Sequence, residues 1–223
     1  FIFVVDGAQR LEDEFLLKLV DFAYGQVDAS EIEKLSLEVS WAKGWPKDPV
    51  AFWNVETFLW QRRIPKKKRD FIETELLKIK ESKDSTLGKS LDIGCGSYSY
   101  IVSDVGLDVS SRMLKFNDRI LEKVQGDLEE KWNFSSGEFS YVSCVFGLNY
   151  LNKVDFVLSE ALRVLSQGGK FVVVLSAKGV SALHQQHEKQ KFGLDSWKLL
   201  LEKHFGTVDS YEKEDLWFFF GIK

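Results

Sequence analysis

The sequence predicts a three-layer α/β fold, in which helices cover both faces of a mostly parallel, seven-stranded sheet. The first observation is that short apolar runs alternate with helical stretches after about residue 88. The second is a near-continuous apolar run over 139–146, typical of a strand buried on both faces. The third is the close spacing of the last two runs, 207–211 and 216–222. The gap between them is too short for a parallel crossover, so we expect an antiparallel hairpin at one edge of the sheet.

The C-terminal part of the chain supplies all seven expected strands. They are residues 89–93, 106–109, 122–125, 139–146, 170–175, 207–211 and 216–222. Helical spacing predicts covering helices over 154–165, ended by Gly168 and Gly169, and over 194–205. Residues 97–105 are too few for a full crossover helix, so we expect the first one to be reduced or absent.

The preceding residues predict a mainly helical N-terminal extension, 1–87, followed by a second domain, 88–223. Helical spacing runs through 11–83, after a short strand over 1–5, and a polar linker over 82–89 closes the extension. Tryptophan and phenylalanine cluster between residues 41 and 60. Such rings serve either as a lid that walls a pocket or as a cap packed on the sheet.

Composition narrows the class of protein. The 223 residues carry a formal net charge of −4, whereas a dedicated nucleic-acid binder usually has a basic domain. No apolar run approaches the ~20 residues that span a bilayer, so we expect no membrane association. Two distant cysteines, Cys95 and Cys144, give neither a disulfide framework nor zinc spacing and are typical of a cytoplasmic protein.

The most informative motif is LDIGCG, residues 91–96, because it ends a predicted strand with two closely spaced glycines. Ligands of open α/β sheets bind at such strand ends, where glycine lets the backbone approach them closely. A nicotinamide-dinucleotide site would need a third glycine at position 99, which is Ser99. Asp108 also follows Gly96 by only 12 residues, so the motif departs from the oxidoreductase pattern.

Four motifs resemble those of the class I S-adenosylmethionine-dependent methyltransferases, in that family's order. They are LDIGCG at 91–96, GLDVSSRML at 106–114, GDL at 126–128 followed by Phe139, and EALRVL at 160–165 followed by two glycines. The resemblance covers roughly residues 89–223 and implies a Rossmann-like methyltransferase fold. It also implies S-adenosyl-L-methionine as cofactor, S-adenosyl-L-homocysteine as product, and no metal.

The resemblance assigns roles to individual residues. Gly94 and Gly96 would lie against the methionine part of the cofactor, and Asp108 would accept hydrogen bonds from both ribose hydroxyls. Asp127 would accept from the adenine amino group, and Asp92 would meet the ammonium through water or hold the loop. The remaining expected cofactor contacts are Cys95, Val109, Met113, Leu128 and Phe146.

Several of these residues also have a purely structural interpretation. The glycines would serve a tight turn, Asp108 would cap the next helix, and Asp127 would be a solvated loop residue. Ser140 stands where many relatives carry Asp after Phe139, so we expect a supporting contact to be missing.

The expected acceptor site follows the fourth strand, at residues 146–150. Asn149 would position a polar acceptor and Tyr150 would stack on it or hydrogen-bond to it, and loop packing is the alternative for both. His184 and His187 lie three residues apart, as a base or metal ligands would, but no third ligand is visible. Surface histidines are therefore the favoured interpretation.

Three functions are compatible with these observations. The first is a small-molecule methyltransferase. The second is an RNA or protein methyltransferase using the basic run at 62–69, although nearby glutamates favour a solvated helix face there. The third is a non-catalytic, cofactor-binding partner subunit.

Overall fold

The computed structural model describes residues 7–82 and 88–223. The chain forms two compact units, Phe1–Arg62 and Arg63–Lys223. The strand predicted over residues 1–5 and most of the predicted linker, 83–87, lie outside the described residues. No described helix is long and apolar enough to cross a membrane.

The first unit is helical in its described part. Its helices are α1 (Gly7–Ala23), α2 (Ala29–Ser36) and α3 (Pro49–Glu56), and α4 (Trp60–Arg63) runs to the boundary. Aspartates start two of them, since the carboxylate of Asp28 accepts from backbone N–H groups of α2 and that of Asp48 from α3. The aromatic cluster packs within the unit, with the Trp41 ring 5.3 Å from Phe15 and the Trp53 ring 6.1 Å from Trp60. Its role as a cap or a lid stays a prediction.

The second unit begins with one helix and continues through the sheet. Its elements in chain order are α5 (Lys66–Lys80), β1 (Ser90–Ile93), β2 (Ser103–Asp108), α6 (Ser111–Phe116), β3 (Ile120–Gln125), β4 (Phe139–Val145), a 3₁₀ helix (Leu148–Tyr150), α7 (Val154–Val164), β5 (Leu165–Ser176), α8 (Ala182–His187), α9 (Leu194–Phe205), β6 (Val208–Lys213) and β7 (Leu216–Ile222).

The sheet has the strand order β3-β2-β1-β4-β5-β7-β6. The first five strands pair in parallel, and β7 is antiparallel to both β5 and β6. This confirms the predicted fold class and the antiparallel hairpin. Ile93 pairs with Leu107, so the carboxyl ends of β1 and β2 lie side by side. Those ends carry the LDIGCG loop and Asp108.

Helices cover both faces of the sheet. On one face, Phe219 belongs to the main core with residues of α7 and α9. The neighbouring Phe218 contacts Phe71 of α5, with ring centroids 6.2 Å apart. Because successive residues of a strand point to opposite faces, α5 covers the other face.

Helix α5 packs with the sheet, although its residues were predicted to belong to the extension. Glu75 accepts hydrogen bonds from Tyr211 and Lys213 of β6, each at 3.2 Å. The structural boundary between the units therefore falls at 62/63, ahead of the predicted division at residue 87. Contacts between α5 and β6, distant in sequence, decide this.

Two expectations about connections had different outcomes. The helix predicted over 154–165 is present as α7, but Gly168 and Gly169 do not end it, because α7 ends at Val164 and β5 begins at Leu165. The glycines belong to β5, since Gly168 N–H donates to the Lys223 carbonyl at 2.9 Å and Lys223 N–H donates to Gly169. Residues 94–102, all within the described part of the chain, contain no helix, so the missing first crossover helix is confirmed.

Candidate cofactor site

The loop after β1 turns back over the ends of β1 and β2. Gly94 and Gly96 have φ of +60° and +57°, in the left-handed region that favours glycine. Gly94 N–H donates to the Leu107 carbonyl at 2.8 Å. The two glycines are therefore required by the backbone of this turn.

Asp108 is bound directly to this loop. Its Oδ2 accepts from Gly96 N–H at 2.9 Å, and its Oδ1 accepts from Ser110 N–H at 2.8 Å. The helix cap of α6 is Ser110, whose Oγ accepts from Met113 N–H at 3.0 Å, so the capping interpretation of Asp108 is wrong. Each carboxylate oxygen keeps a further lone pair, so the group can accept two more donors.

The charge of Asp108 is poorly solvated. Only 8% of the residue is exposed, and this burial raises the pKa of its carboxyl to about 6. The two backbone hydrogen bonds act in the opposite direction. The site therefore holds a carboxylate that gains from any further hydrogen-bond donor.

Other predicted residues surround the same glycines. A Cβ at Gly94 would lie 3.6 Å from Leu128 Cδ1 and 3.9 Å from Gly147 Cα. A Cβ at Gly96 would lie 3.5 Å from Met113 Sδ. The structure thus brings together Gly94, Gly96, Leu128 and Met113, although they come from three separate segments.

Asp92 lies on β1 just before the loop. Its Oδ1 accepts from Ser143 Oγ at 2.9 Å, and it also hydrogen-bonds the Ser99 side chain. Burial, with a smaller contribution from the Asp108 charge, raises the pKa of this carboxyl to about 6, against the hydrogen bonds from Ser99 and Ser143. In these contacts Asp92 joins β4 and the glycine loop to β1.

Asn117 is a loop-holding residue that sequence reasoning missed. It is fully buried at the end of α6, and its Nδ2 donates to the carbonyls of Cys95 and Gly96 and to Ser99 Oγ, at 3.2, 3.0 and 3.0 Å. Its position gave no signal, because a buried and an exposed asparagine look alike in sequence.

Of two further predicted contacts, Cys95 is turned into the protein and Val109 is half-buried. The Cys95 side chain packs in a small core with Leu114 and Ile120, so only its backbone belongs to the loop. Burial raises the pKa of its thiol, which stays protonated. Val109 is half-buried, and its carbonyl accepts from Gln125 Nε2 at 3.2 Å.

Aromatic rings fill the space near the absent crossover helix. Phe146, immediately after β4, is buried and has φ of +59°, which is uncommon for a residue with a side chain. Its ring lies edge-on to Tyr100 at 5.8 Å, and Tyr100 in turn lies 5.4 Å from Tyr98. A backbone strained in this way, as at Phe146, is typical of functional sites.

Asp127 and Ser140 both lie outside the glycine loop. Asp127 is exposed, and its Oδ1 accepts from Glu129 N–H at 2.8 Å, which is a local turn contact. Ser140 N–H donates to the Lys89 carbonyl at 2.9 Å, near the start of β1. Ser140 therefore lies at the opposite end of the sheet from the glycine loop, so its replacement of Asp removes nothing from that loop.

The acceptor candidates lie on the 3₁₀ helix after β4. The Asn149 carbonyl accepts from the N–H groups of Lys189 and Gln190, at 2.8 and 3.0 Å. Its side-chain Oδ1 is buried and has no hydrogen-bond partner among the described residues. The Tyr150 ring lies edge-on to His184 at 6.2 Å.

The prediction of surface histidines is wrong for His184. This residue is fully buried on α8, and its Nδ1 lies 2.8 Å from Oγ of Ser181, which caps that helix. Burial lowers its pKa to about 3, so the ring is neutral. Within residues 7–82 and 88–223, no three His, Cys, Asp or Glu side chains group as metal ligands.

The basic run at 62–69 is partly engaged in internal contacts. Arg62 lies 3.8 Å from the centre of the Tyr24 ring, and Lys66 pairs with Asp70 at 2.6 Å. Arg69 donates to the Ile64 carbonyl at 2.9 Å. At least three of its six cations thus have protein partners.

Comparison with known proteins agrees with the fold. Residues 91–173 match the family model for a methyltransferase domain. A demethylmenaquinone methyltransferase of Staphylococcus carnosus is 29% identical over 114 residues, which is 44% of this chain and 47% of the relative. The chain spans about half the length of the curated relatives it matches.

Solved structures extend the fold comparison. A SAM-dependent methyltransferase from Archaeoglobus fulgidus has a TM-score of 0.60 at 14% identity, covering 74% of this chain and 99% of that one. A Haemonchus contortus N-methyltransferase, solved with phosphomonomethylethanolamine and S-adenosylhomocysteine, has a TM-score of 0.58 at 15% identity, covering 76% of this chain and 58% of that one. The strand order, the glycine loop joined to Asp108 and the matched segment lead to one conclusion: residues 91–173 resemble a methyltransferase domain, within a fold that solved SAM-dependent methyltransferases share.

Proposed function

We propose that this protein transfers a methyl group from S-adenosylmethionine to a small-molecule acceptor. The observation that carries the proposal is the hydrogen bond from Gly96 N–H to Asp108 Oδ2 at 2.9 Å. It joins the loop of β1 to a buried carboxylate at the end of β2, where an open α/β sheet binds its ligands.

The site's own groups fit the cofactor. Asp108 has free lone pairs for two ribose hydroxyls, and such charge-assisted bonds are stronger than neutral ones. The left-handed Gly94 and Gly96 leave their backbone open to the methionine part. Ser97 Oγ, one residue further, is buried and has no hydrogen-bond partner among the described residues, so a polar ligand group would satisfy it.

The adenine end of the proposed site lies just after β3. Asp108 pairs with Gln125 at the end of β3, and Asp127 follows two residues later. In the proposal Asp127 accepts from the adenine amino group, while Leu128, against Gly94, lies beneath the cofactor.

Methyl transfer requires little acid–base catalysis by the protein. When bound, S-adenosylmethionine supplies an activated methyl group on a sulfonium centre. The protein's contribution is to hold the acceptor in line and to exclude water. Asn149 would accept a hydrogen bond from the acceptor, and Phe146 and Tyr150 would supply ring surface next to it.

A small organic acceptor is the class that we favour. The Staphylococcus relatives are named for a demethylmenaquinone. An RNA acceptor would use the basic run, where Arg62, Lys66 and Arg69 already have protein partners. The proposal therefore rests on the glycine loop and the residues after β4.

Isothermal calorimetry tests cofactor binding. We expect S-adenosylmethionine to bind with micromolar Kd, NAD to give no heat, and Asp108→Ala to weaken binding at least tenfold, about 1.4 kcal/mol. Asp118→Ala, which removes an exposed carboxylate near the same helix, is the matched control and keeps native affinity. Equal affinity in the Asp108 variant, or no binding to the folded protein, would contradict the cofactor site.

A second experiment separates an enzyme from a cofactor-binding partner subunit. The purified chain is incubated with methyl-labelled S-adenosylmethionine and a panel of small hydroxyl- and amine-bearing acceptors. Label transfer supports an enzyme. Tight cofactor binding with no transfer, together with a stable complex with another chain, would identify a partner subunit.

A further inference from the structure

We infer that the cavity beyond Asn149 is the acceptor pocket, and that it takes a neutral, planar aromatic molecule bearing a hydroxyl or amino group. The cavity has a volume of about 430 Å³ and lies entirely within the second unit. This is within the range of small-molecule sites. The inference rests on the proposed function, and it adds the chemical class of the acceptor.

The position of the cavity connects it to the cofactor loop. Gly147 Cα lies 3.9 Å from the place that a Cβ on Gly94 would take. Asn149, two residues after Gly147, lines the cavity. Two residues span at most about 7 Å, so Asn149 at the cavity lies within about 11 Å of the glycine loop.

The walls favour a flat aromatic ligand. Trp197 and Trp217 both line the cavity, together with Phe192. The Phe192 ring lies edge-on to Trp197 at 5.3 Å, and Trp217 Nε1 donates to Glu212 Oε2 at 3.0 Å. Trp217 is half-buried and held in place at the cavity, whereas Trp197 is only 1% exposed and packs against the exposed Phe192 ring. Rings such as those of Trp217 and Phe192 offer rigid surfaces for planar molecules.

The polar groups of the cavity call for a donor on the ligand. Asn149 Oδ1 is buried without a hydrogen-bond partner among the described residues, and a buried acceptor of this kind normally has one. Gln190 Nε2 donates to the Leu151 carbonyl at 3.0 Å, which leaves the side-chain oxygen of Gln190 as an acceptor. A hydroxyl or amino group on the ligand would satisfy the Gln190 oxygen, and it would satisfy Asn149 Oδ1 once that side chain turns toward the cavity.

The charges that line the cavity favour a neutral ligand. Lys178 is paired with Asp215 at 2.9 Å. The remaining charged residues in the lining, Glu188 and Lys191, have opposite signs. The cavity thus carries no net field that would select an anion or a cation.

The test uses two probes of one shape, 6-hydroxyquinoline and quinoline, of which only the first has an O–H donor. They are titrated into the ¹⁵N-labelled chain while the indole N–H signals are recorded, with Trp197→Phe and Trp217→Phe giving the assignments. We expect saturable shifts of both tryptophan signals and an affinity for the hydroxylated probe about tenfold higher.

Two variants localise the binding. Gly193 lines the cavity with open space around its Cβ position and an ordinary φ, so Gly193→Leu fills the cavity and is expected to weaken both probes at least tenfold. Asn149→Leu is expected to remove the preference for the hydroxyl. Asn152→Leu, an exposed asparagine nearby, is the control and retains the preference.

The outcomes separate this inference from the proposed function. Unshifted tryptophan signals, or equal affinities for the two probes, would overturn the acceptor pocket even if S-adenosylmethionine binds normally in calorimetry. Probe binding with the expected preference, but without any cofactor binding, would instead contradict methyl transfer.

Discussion

Asn117 Nδ2 lies 3.0 Å from the carbonyl oxygen of Gly96, and it donates to that oxygen from the far end of α6. The same amide also reaches the Cys95 carbonyl and Ser99 Oγ. Ser99 in turn hydrogen-bonds Asp92. One buried side chain thus holds the glycine loop at three points, in a region where a crossover helix is absent.

Replacing Asn117 by Ala is expected to lower both stability and cofactor affinity. The change leaves two buried acceptors and one part-buried acceptor without their donor, so the free energy of unfolding should fall by about 2–3 kcal/mol. We also expect affinity for S-adenosylmethionine to fall at least tenfold, measured by calorimetry on protein that remains folded. Asn152→Ala removes an exposed asparagine and should change neither quantity. Native affinity in Asn117→Ala would show that the loop keeps its shape without the hydrogen bonds of Asn117.

Gly96→Ala tests the open backbone of the loop. A residue with a Cβ in the left-handed region costs about 1–2 kcal/mol, and the new methyl also enters the space beside Met113. Gly25→Ala is the matched control, because Gly25 has φ of +71° with nothing within 4 Å of its Cβ position. Both variants should lose similar stability in urea unfolding, and only Gly96→Ala should lose cofactor affinity. A similar loss of affinity in both would refute a direct role for Gly96.

The buried carboxyl of Asp108 makes the ligand-free protein less stable as the pH rises. Its folded pKa, about 6, is above the ordinary value of 3.8, so the folded state binds more protons between these values. Stability is full below about pH 4 and falls as the pH rises through 6, by roughly 1 kcal/mol per unit for this group. Asp108→Asn should flatten this slope in denaturant unfolding between pH 4.5 and 7. An unchanged slope would show that Asp108 does not titrate in this range.

Cofactor affinity should depend on pH in the opposite sense. The ribose hydroxyls donate to an ionised carboxylate, so affinity should fall as the pH drops below about 6 and Asp108 becomes protonated. Calorimetric titrations at pH 5 and 7.5 measure the effect. A pH-independent Kd would contradict the ribose role of Asp108.

Arg163 joins α7 to the segment between β3 and β4. Its guanidinium pairs with Glu160 and donates to the carbonyls of Phe134 and Trp132, at 2.7 and 3.0 Å. Lysine lacks this fork, so Arg163→Lys should lower the free energy of unfolding by about 2 kcal/mol. Lys198→Ala, which breaks a more exposed pair with Glu202, should change it by less than about 0.5 kcal/mol. Comparable effects of the two changes would show that the Arg163 fork contributes little.

The sequence by itself determined the sheet and the position of the glycine loop. Strands such as 139–146 are local apolar runs, and the backbone of Gly94 and Gly96 is limited by sterics within a few residues. Their order along the chain was sufficient to predict the fold class and the strand end that carries the cofactor motif. The roles of Asp108 and Asp127 toward a cofactor stay predictions.

Tertiary structure decided what depends on contacts between residues distant in sequence. Asn117 holds the glycine loop by hydrogen bonds and His184 is buried, because segments many residues away fold against them. The grouping of α5 with the sheet and the cavity beyond Asn149 arose in the same way. No local pattern of apolar and polar residues predicts such contacts, because the burial of a polar side chain depends on where the whole chain places its partners.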